Sequence, residues 1–307
     1  MDRKLLLRQQ MRQSMENEIA ARTKAHQDKL ARFRSAVHAR KAVGAAAPAT
    51  PLVMLAHGDS WFDYPLDGNA ISLIPTDIIA QLGSMGNISP FILNISQWGD
   101  ATTAEMSWPK QQRMITAIQD PSNWLDSGKP DAILFSGGGN DVAGDQFAVF
   151  LDYAGFGAGG LDANRFKKAL GIVEASYLDL FAFRDRYAHD VPIFGHCYDF
   201  PIPNGLHPIC AGPWLQPSLH FCGYNLTQGT AIVHQALLDF QSLLTGLAND
   251  PANNSYWSPR KAYWPMRIGR TSCILIRKDS GRLQASSSML CGFGFQAEFR
   301  RRCGTSQ

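Results

Sequence analysis

The chain has 307 residues, 45% of them apolar and 18% charged, with 27 Gly and 17 Pro. That composition excludes a disordered, fibrous or collagen-like protein, and the length accommodates one large domain or two ordinary ones. No apolar run approaches the roughly 20 residues that span a bilayer. Met1-Asp2-Arg3-Lys4 opens no secretory apolar stretch, and six Cys without metal-type spacing make no disulfide scaffold. A soluble, cytoplasmic protein is expected.

The net charge of +3 is distributed unevenly: residues 1–41 carry +7, residues 42–254 carry −12 and residues 255–307 carry +8. Shifts this abrupt mark the middle as the folded body. The chain divides into a basic helical N-terminal extension (1–43), a linker (44–51), the body (52–254) and a tail (255–307).

In chain order, residues 1–41 lack Gly and Pro and predict a helix from Lys4 to Lys41. Leu5, Met11, Met15, Ile19, Leu30 and Phe33 give it only a thin apolar stripe, so it reads as a solvated or self-pairing helix standing outside the body, not as a nucleic-acid arm. Gly44 to Pro51 is the linker. Leu52–His57 predicts a buried strand, Ala70–Leu82 a helix, Phe91–Ile95 a strand, Thr102–Gln119 a helix, and Asp131–Phe135 a third strand. Asn164–Tyr187 is a long helix, Val191–Cys197 a fourth strand and Thr227–Leu247 a further helix. Strands alternating with helices of this length imply right-handed crossovers and a parallel sheet covered on both faces. The fold class is therefore α/β, and a ligand site belongs at the carboxyl ends of the strands.

Three motifs fall there. Gly58-Asp59-Ser60, followed by Trp61-Phe62-Asp63, puts a serine on a tight turn after the first strand. Gln97-Trp98-Gly99-Asp100 follows the second, where glycine can bring a backbone N–H close to a ligand. Gly137-Gly138-Gly139-Asn140-Asp141 follows the third and adds an amide donor. Singly, a GDS triplet is far more often an ordinary turn and a glycine triplet an ordinary loop. Together, a serine, a backbone N–H and an asparagine amide make a nucleophile with an oxyanion hole.

In these three blocks, in this order, residues 52–254 resemble the SGNH hydrolases of the GDSL esterase/lipase class. The resemblance implies a three-layer α/β/α sandwich with about five parallel strands. It implies acyl- or acetyl-ester hydrolysis on a small-molecule, carbohydrate or lipid ester, with Ser60 as nucleophile. The Ser60 N–H, the Gly99 N–H and the Asn140 side chain would bind the oxyanion. It implies no metal or organic cofactor.

The family's last block, an Asp-x-x-His-Pro pattern carrying the catalytic histidine, is missing. Re-reading the codons from Tyr256 to Ser280 one frame over permits L-V-P-T-Q-G-x-L-A-x-E-D-W-A-N-E-L-H-P-x-P-x-G-F. Trp257 then Ser258 (TGG TCx), for example, contains GTC, valine. The re-read string resembles the family's final strand and histidine block. On this reading a frameshift lies near Asn253–Ser255, residues 255–307 are out-of-frame, poorly ordered sequence, and the last strand of the sheet is missing. The alternative is a histidine supplied from elsewhere: His57, His196, His207 or His220, each more often a packed or surface residue. Asp63 and Asp199 read as structural or substrate-facing, and Trp214 and Phe221 as core or lid packing. Two functional classes follow: an impaired serine esterase, or a non-catalytic binding protein or defective product of the same ancestry.

Overall fold

A computed structural model describes residues 3–63, 77–83, 88–157, 159–198, 200–205 and 214–258. A long helix α1 (Arg3–Ala42) precedes β1 (Val53–Gly58), α2 (Ile78–Leu82), β2 (Phe91–Asn94), α3 (Thr102–Glu105) and α4 (Trp108–Gln119). Then come β3 (Ala132–Ser136), α5 (Gly139–Val142), α6 (Ala163–Tyr187), β4 (Ile193–His196), α7 (Gln216–Phe221), α8 (Leu226–Asn249) and β5 (Ser255–Ser258). The five strands form one parallel sheet in the order β2-β1-β3-β4-β5.

The strand residues alternate between two apolar layers, as the two-residue period of a strand requires. Val53, Leu55, Leu93, Ile133, Phe135 and Ile193 pack on one face with Met114 of α4, Tyr177 and Leu180 of α6, and Phe240 and Leu244 of α8. Met54, Ala56, Ala132, Leu134 and Phe194 pack on the other with Phe62 and Ile79. Every residue of β1 and β3 is buried, which is why these strands read as continuous apolar runs. The helix expected over Thr102–Gln119 is two helices. Pro109 occupies the first turn of α4, and within one continuous helix its ring would meet the Glu105 carbonyl. Of the helix expected over Ala70–Leu82, residues 70–76 lie outside the described residues.

Two expectations are corrected. The sheet does have a fifth strand. Arg184 of α6 is buried, and its guanidinium donates to the carbonyls of Val191 (3.1 Å), Asn253 (2.9 Å) and Asn254 (3.4 Å), tying together the chain just before β4 and just before β5. From there Tyr256 stacks on Phe194 on one face, ring centres 5.2 Å apart, and Trp257 meets Tyr177 edge-on at 5.0 Å on the other. The residues as they stand thus supply apolar cover on both sides. The tail beyond Ser258 lies outside the described residues.

Nor does α1 stand apart. Ile19, His26 and Leu30 are buried against the body. His26 Nε2 lies 2.9 Å from the Asn123 carbonyl, Gln27 donates to Asn123 Oδ1 at 3.0 Å, and Arg34 donates to the Trp124 carbonyl. Phe33 meets Phe91 of β2 edge-on at 5.9 Å, with the Lys29 ammonium 4.2 Å over the same ring. Through Ile19 and Leu30 the helix joins the apolar layer on one face of the sheet, beside β2, the edge strand. Among the described residues no helix is long and apolar enough to cross a membrane.

Candidate functional site

The three motif loops leave adjacent strands at one end of the sheet. The first is a single helical turn: the N–H groups of Phe62 and Asp63 both donate to the Asp59 carbonyl, at 3.1 and 3.2 Å. Ser60 sits within that turn and is 8% exposed. A glycine is required at Gly58, because a Cβ there would collide with the Ser136 backbone, to whose carbonyl the Asp59 N–H donates at 3.0 Å.

Asp59 organises the floor. Its Oδ1 accepts from Ser136 Oγ at 2.7 Å and from the Trp61 N–H at 3.0 Å, and its Oδ2 accepts from the Tyr198 hydroxyl at 2.7 Å. The Tyr198 oxygen in turn accepts the Gly139 N–H at 2.9 Å, so one phenol joins the first loop to the third. Burial pushes the Asp59 carboxyl up to about 6, against the lowering effect of these donors.

The second and third loops are stitched twice. Asn140 Nδ2 donates to the Asp100 carbonyl at 2.7 Å. Asp141 accepts the Thr102 N–H at 2.8 Å and the Thr102 hydroxyl at 2.9 Å, which caps α3. The Asp100 carboxylate pairs with Lys110. An asparagine amide has two N–H donors, and the second of Asn140 has no partner among the described residues. Gly99 stands at φ +83°, a backbone shape that favours glycine, and a Cβ there would meet nothing within 4 Å. The second loop is tied to the first as well: the Gln97 N–H donates to the Gly58 carbonyl at 2.9 Å, and Asn94 Nδ2 to the Phe62 carbonyl at 2.7 Å. Ser60, Gly99 and Asn140 therefore ride on three mutually bonded loops, with no direct hydrogen bond between them.

No histidine among the described residues is bonded to the Ser60 hydroxyl, which has no hydrogen-bond partner there. His57 is fully buried beside the Phe135 ring and contacts the Glu105 carbonyl at the end of α3 through Nε2 at 3.0 Å; burial lowers its pKa to about 4. His196 lies 2.9 Å from Ser136 Oγ through Nε2. Its Nδ1 lies 3.4 Å from the Cys197 carbonyl, so both ring nitrogens are engaged by groups other than Ser60. The rings of Trp61, Tyr198 and Phe62 surround it at 5.2, 5.3 and 5.8 Å, and burial lowers its pKa to about 4. His220 is exposed on α7, and His234 is exposed on α8 with Phe200 stacked on it at 3.8 Å. His207 and Asp199 lie outside the described residues. Asp63 is buried and paired with Arg22. Trp214 is half-buried at φ +44°. Phe221 is not core: it is 67% exposed, with its ring centre 5.7 Å from that of Tyr153.

Sequence reasoning missed four contributors: Ser136, Tyr198, Arg22 and Glu105. Ser136 ends β3 and Tyr198 follows β4, positions where a polar residue after an apolar run is the available signal. Glu105 is wholly buried, with both carboxyl oxygens unpartnered. Its burial, with the nearby charges of Asp59 and Asp141, holds its pKa well above the ordinary glutamate value. Gly137 carries no side chain because a Cβ would collide with that carboxyl. Among the described residues no group of three or more His, Cys, Asp or Glu could hold a metal ion.

No family model and no curated protein matches the chain. Among solved structures, it is similar to a mutant of the esterase AlinE4 at 16% identity, covering 84% of this chain and 100% of that one, with a TM-score of 0.40. It is also similar to the extracellular lipase of Streptomyces rimosus at 17% identity, covering 68% of this chain and 80% of that one, with a TM-score of 0.41. The architecture described above rests on the chain's own strand order and packing.

Proposed function

We propose that this chain is the body of an SGNH-class serine ester hydrolase. The observation that carries the reading is the placement of Ser60, Gly99 and Asn140 on bonded loops at the carboxyl ends of three neighbouring strands, β1, β2 and β3. In the reaction, Ser60 Oγ attacks the ester carbonyl carbon. The oxygen becomes an oxyanion held by the Ser60 and Gly99 N–H groups and the free N–H of the Asn140 amide. Collapse expels the alcohol and leaves an acyl-serine, which water then cleaves. The serine proton needs a base, and among the described residues none is bonded to Ser60. The frameshift reading supplies the histidine from the L-H-P block encoded one frame over, after Asn253–Ser255; against it stands β5, which the in-frame residues Ser255–Ser258 form. The substrate is an acyl or acetyl ester of a small molecule, carbohydrate or lipid.

Restoring the frame tests this. The chain as written is expected to hydrolyse nitrophenyl acetate weakly, the residual rate of a site with oxyanion donors and no base. The restored chain is expected to gain several orders of magnitude, and Ser60→Ala in it to abolish the gain. A restored chain no faster than the original overturns the reading.

The second reading is a non-catalytic binding protein on the same scaffold. It is favoured by one observation: His196, the histidine beside the first-loop aromatics, has its two ring nitrogens against Ser136 Oγ and the Cys197 carbonyl, and neither is bonded to Ser60.

A further inference from the structure

Arg22 lies halfway along α1, far in sequence from the motif loops. Its Nη1 donates to Asp63 Oδ1 at 3.2 Å, and its Nη2 donates to the Ser96 carbonyl at 3.2 Å. Asp63 closes the turn that carries Ser60, and Ser96 lies three residues before Gly99. The Asp63 carboxylate is buried. Seven residues earlier on the same helix stands Met15, whose sulfur accepts from Gln97 Nε2 at 3.1 Å. Arg22 is therefore not a surface decoration: its planar fork spans two loops with two separate donors, a geometry that lysine's single ammonium cannot reproduce.

We infer that α1 is a working part of the site, and that Arg22 is a positioning residue holding the Ser60 turn in register with the Gly99 loop. Without the fork, the buried Asp63 carboxylate loses its cationic partner and the Ser96 carbonyl loses a donor, so the two loops are free to separate. The clamp stands on this geometry; its service to a reaction rests on the ester-hydrolase reading.

The test compares the full chain with Arg22→Ala and Arg22→Lys by amide hydrogen exchange and by nitrophenyl acetate kinetics. In R22A, exchange across residues 59–63 and 95–99 is expected to rise about tenfold or more, the effect of losing a charge-assisted bond to a buried carboxylate. Residues 121–124, held by His26, Gln27 and Arg34, are expected to stay protected. R22K is expected to recover part of the protection. The residual Ser60-dependent hydrolysis is expected to fall about tenfold in kcat with KM little changed, as lost positioning predicts. Unchanged exchange at both loops overturns the clamp, and so does a rise that extends equally to residues 121–124, which signals general undocking of the helix. If the loops loosen as expected but Ser60→Ala leaves the hydrolysis unaltered, the clamp stands and the hydrolase reading falls.

Discussion

The Trp257 indole of β5 lies against the bare Cα of Gly195 in β4, in the space that a Cβ at Gly195 would occupy. The two strands pair directly, with Gly195 in register with Trp257. This contact seats the last strand, so it is open to a mutational cycle. Gly195→Ala is expected to destabilise by about 1–3 kcal/mol through overpacking, and Trp257→Ala by about 3 kcal/mol through the cavity it leaves. Because each relieves the other, the double variant is expected to lose less than the two singles together. Urea unfolding of the four proteins measures it; strict additivity would mean that β5 does not pack there.

The N-terminal helix is expected to carry stability. Leu30 is 0% exposed, so Leu30→Ala is expected to cost about 3 kcal/mol and to lower the melting temperature by roughly 5 °C or more. Deleting residues 1–45 removes that packing together with the His26, Gln27 and Arg34 hydrogen bonds. A scanning calorimetry trace of the deletion matching that of the full chain would refute the docking.

His57 sets part of the acid sensitivity. Its folded pKa of about 4 lies below the ordinary histidine value of 6.5, because burial disfavours the imidazolium. Between those values the unfolded chain binds a proton that the folded chain does not. Its contribution to stability is therefore present above pH 6.5 and lost as the pH falls towards 4. Asp59, raised from 3.8 to about 6, works in the opposite direction over much of that range, so the difference between proteins is the useful quantity. Between pH 6.5 and 4.5, His57→Asn is expected to lose less stability than the parent, by of the order of 2 kcal/mol. Equal losses would place His57 in water.

Tyr198→Phe removes both the donor to Asp59 Oδ2 and the acceptor for the Gly139 N–H. The expected cost is about 1–3 kcal/mol. The Tyr198 bond favours ionised Asp59, so the loss is expected to be greater at pH 8 than at pH 5, where the folded carboxyl is largely protonated. Chemical denaturation at the two pH values checks the sign.

Much of this molecule is determined locally. The buried runs 53–58 and 132–136 are apolar enough to demand cover on both faces, and the intervening helices are long enough to force parallel crossovers. The three motif loops follow from that pattern, since the sites of an open parallel sheet lie where its strands end. What the sequence could not decide depended on partners distant along the chain. The stripe of α1 looked thin because Arg22 and His26 occupy two of its inward positions. These polar side chains become interior ones only when Asp63, the Ser96 carbonyl and the Asn123 carbonyl are there to meet them. The role of His196 was likewise undecidable from its place after β4. Its Nε2 meets Ser136 Oγ, 60 residues away, whose hydroxyl in turn hydrogen-bonds Asp59, and nothing in the sequence around His196 announces either partner. Hydrogen-bond direction inside a buried network is a property of the whole network, and only the assembled tertiary structure supplies it.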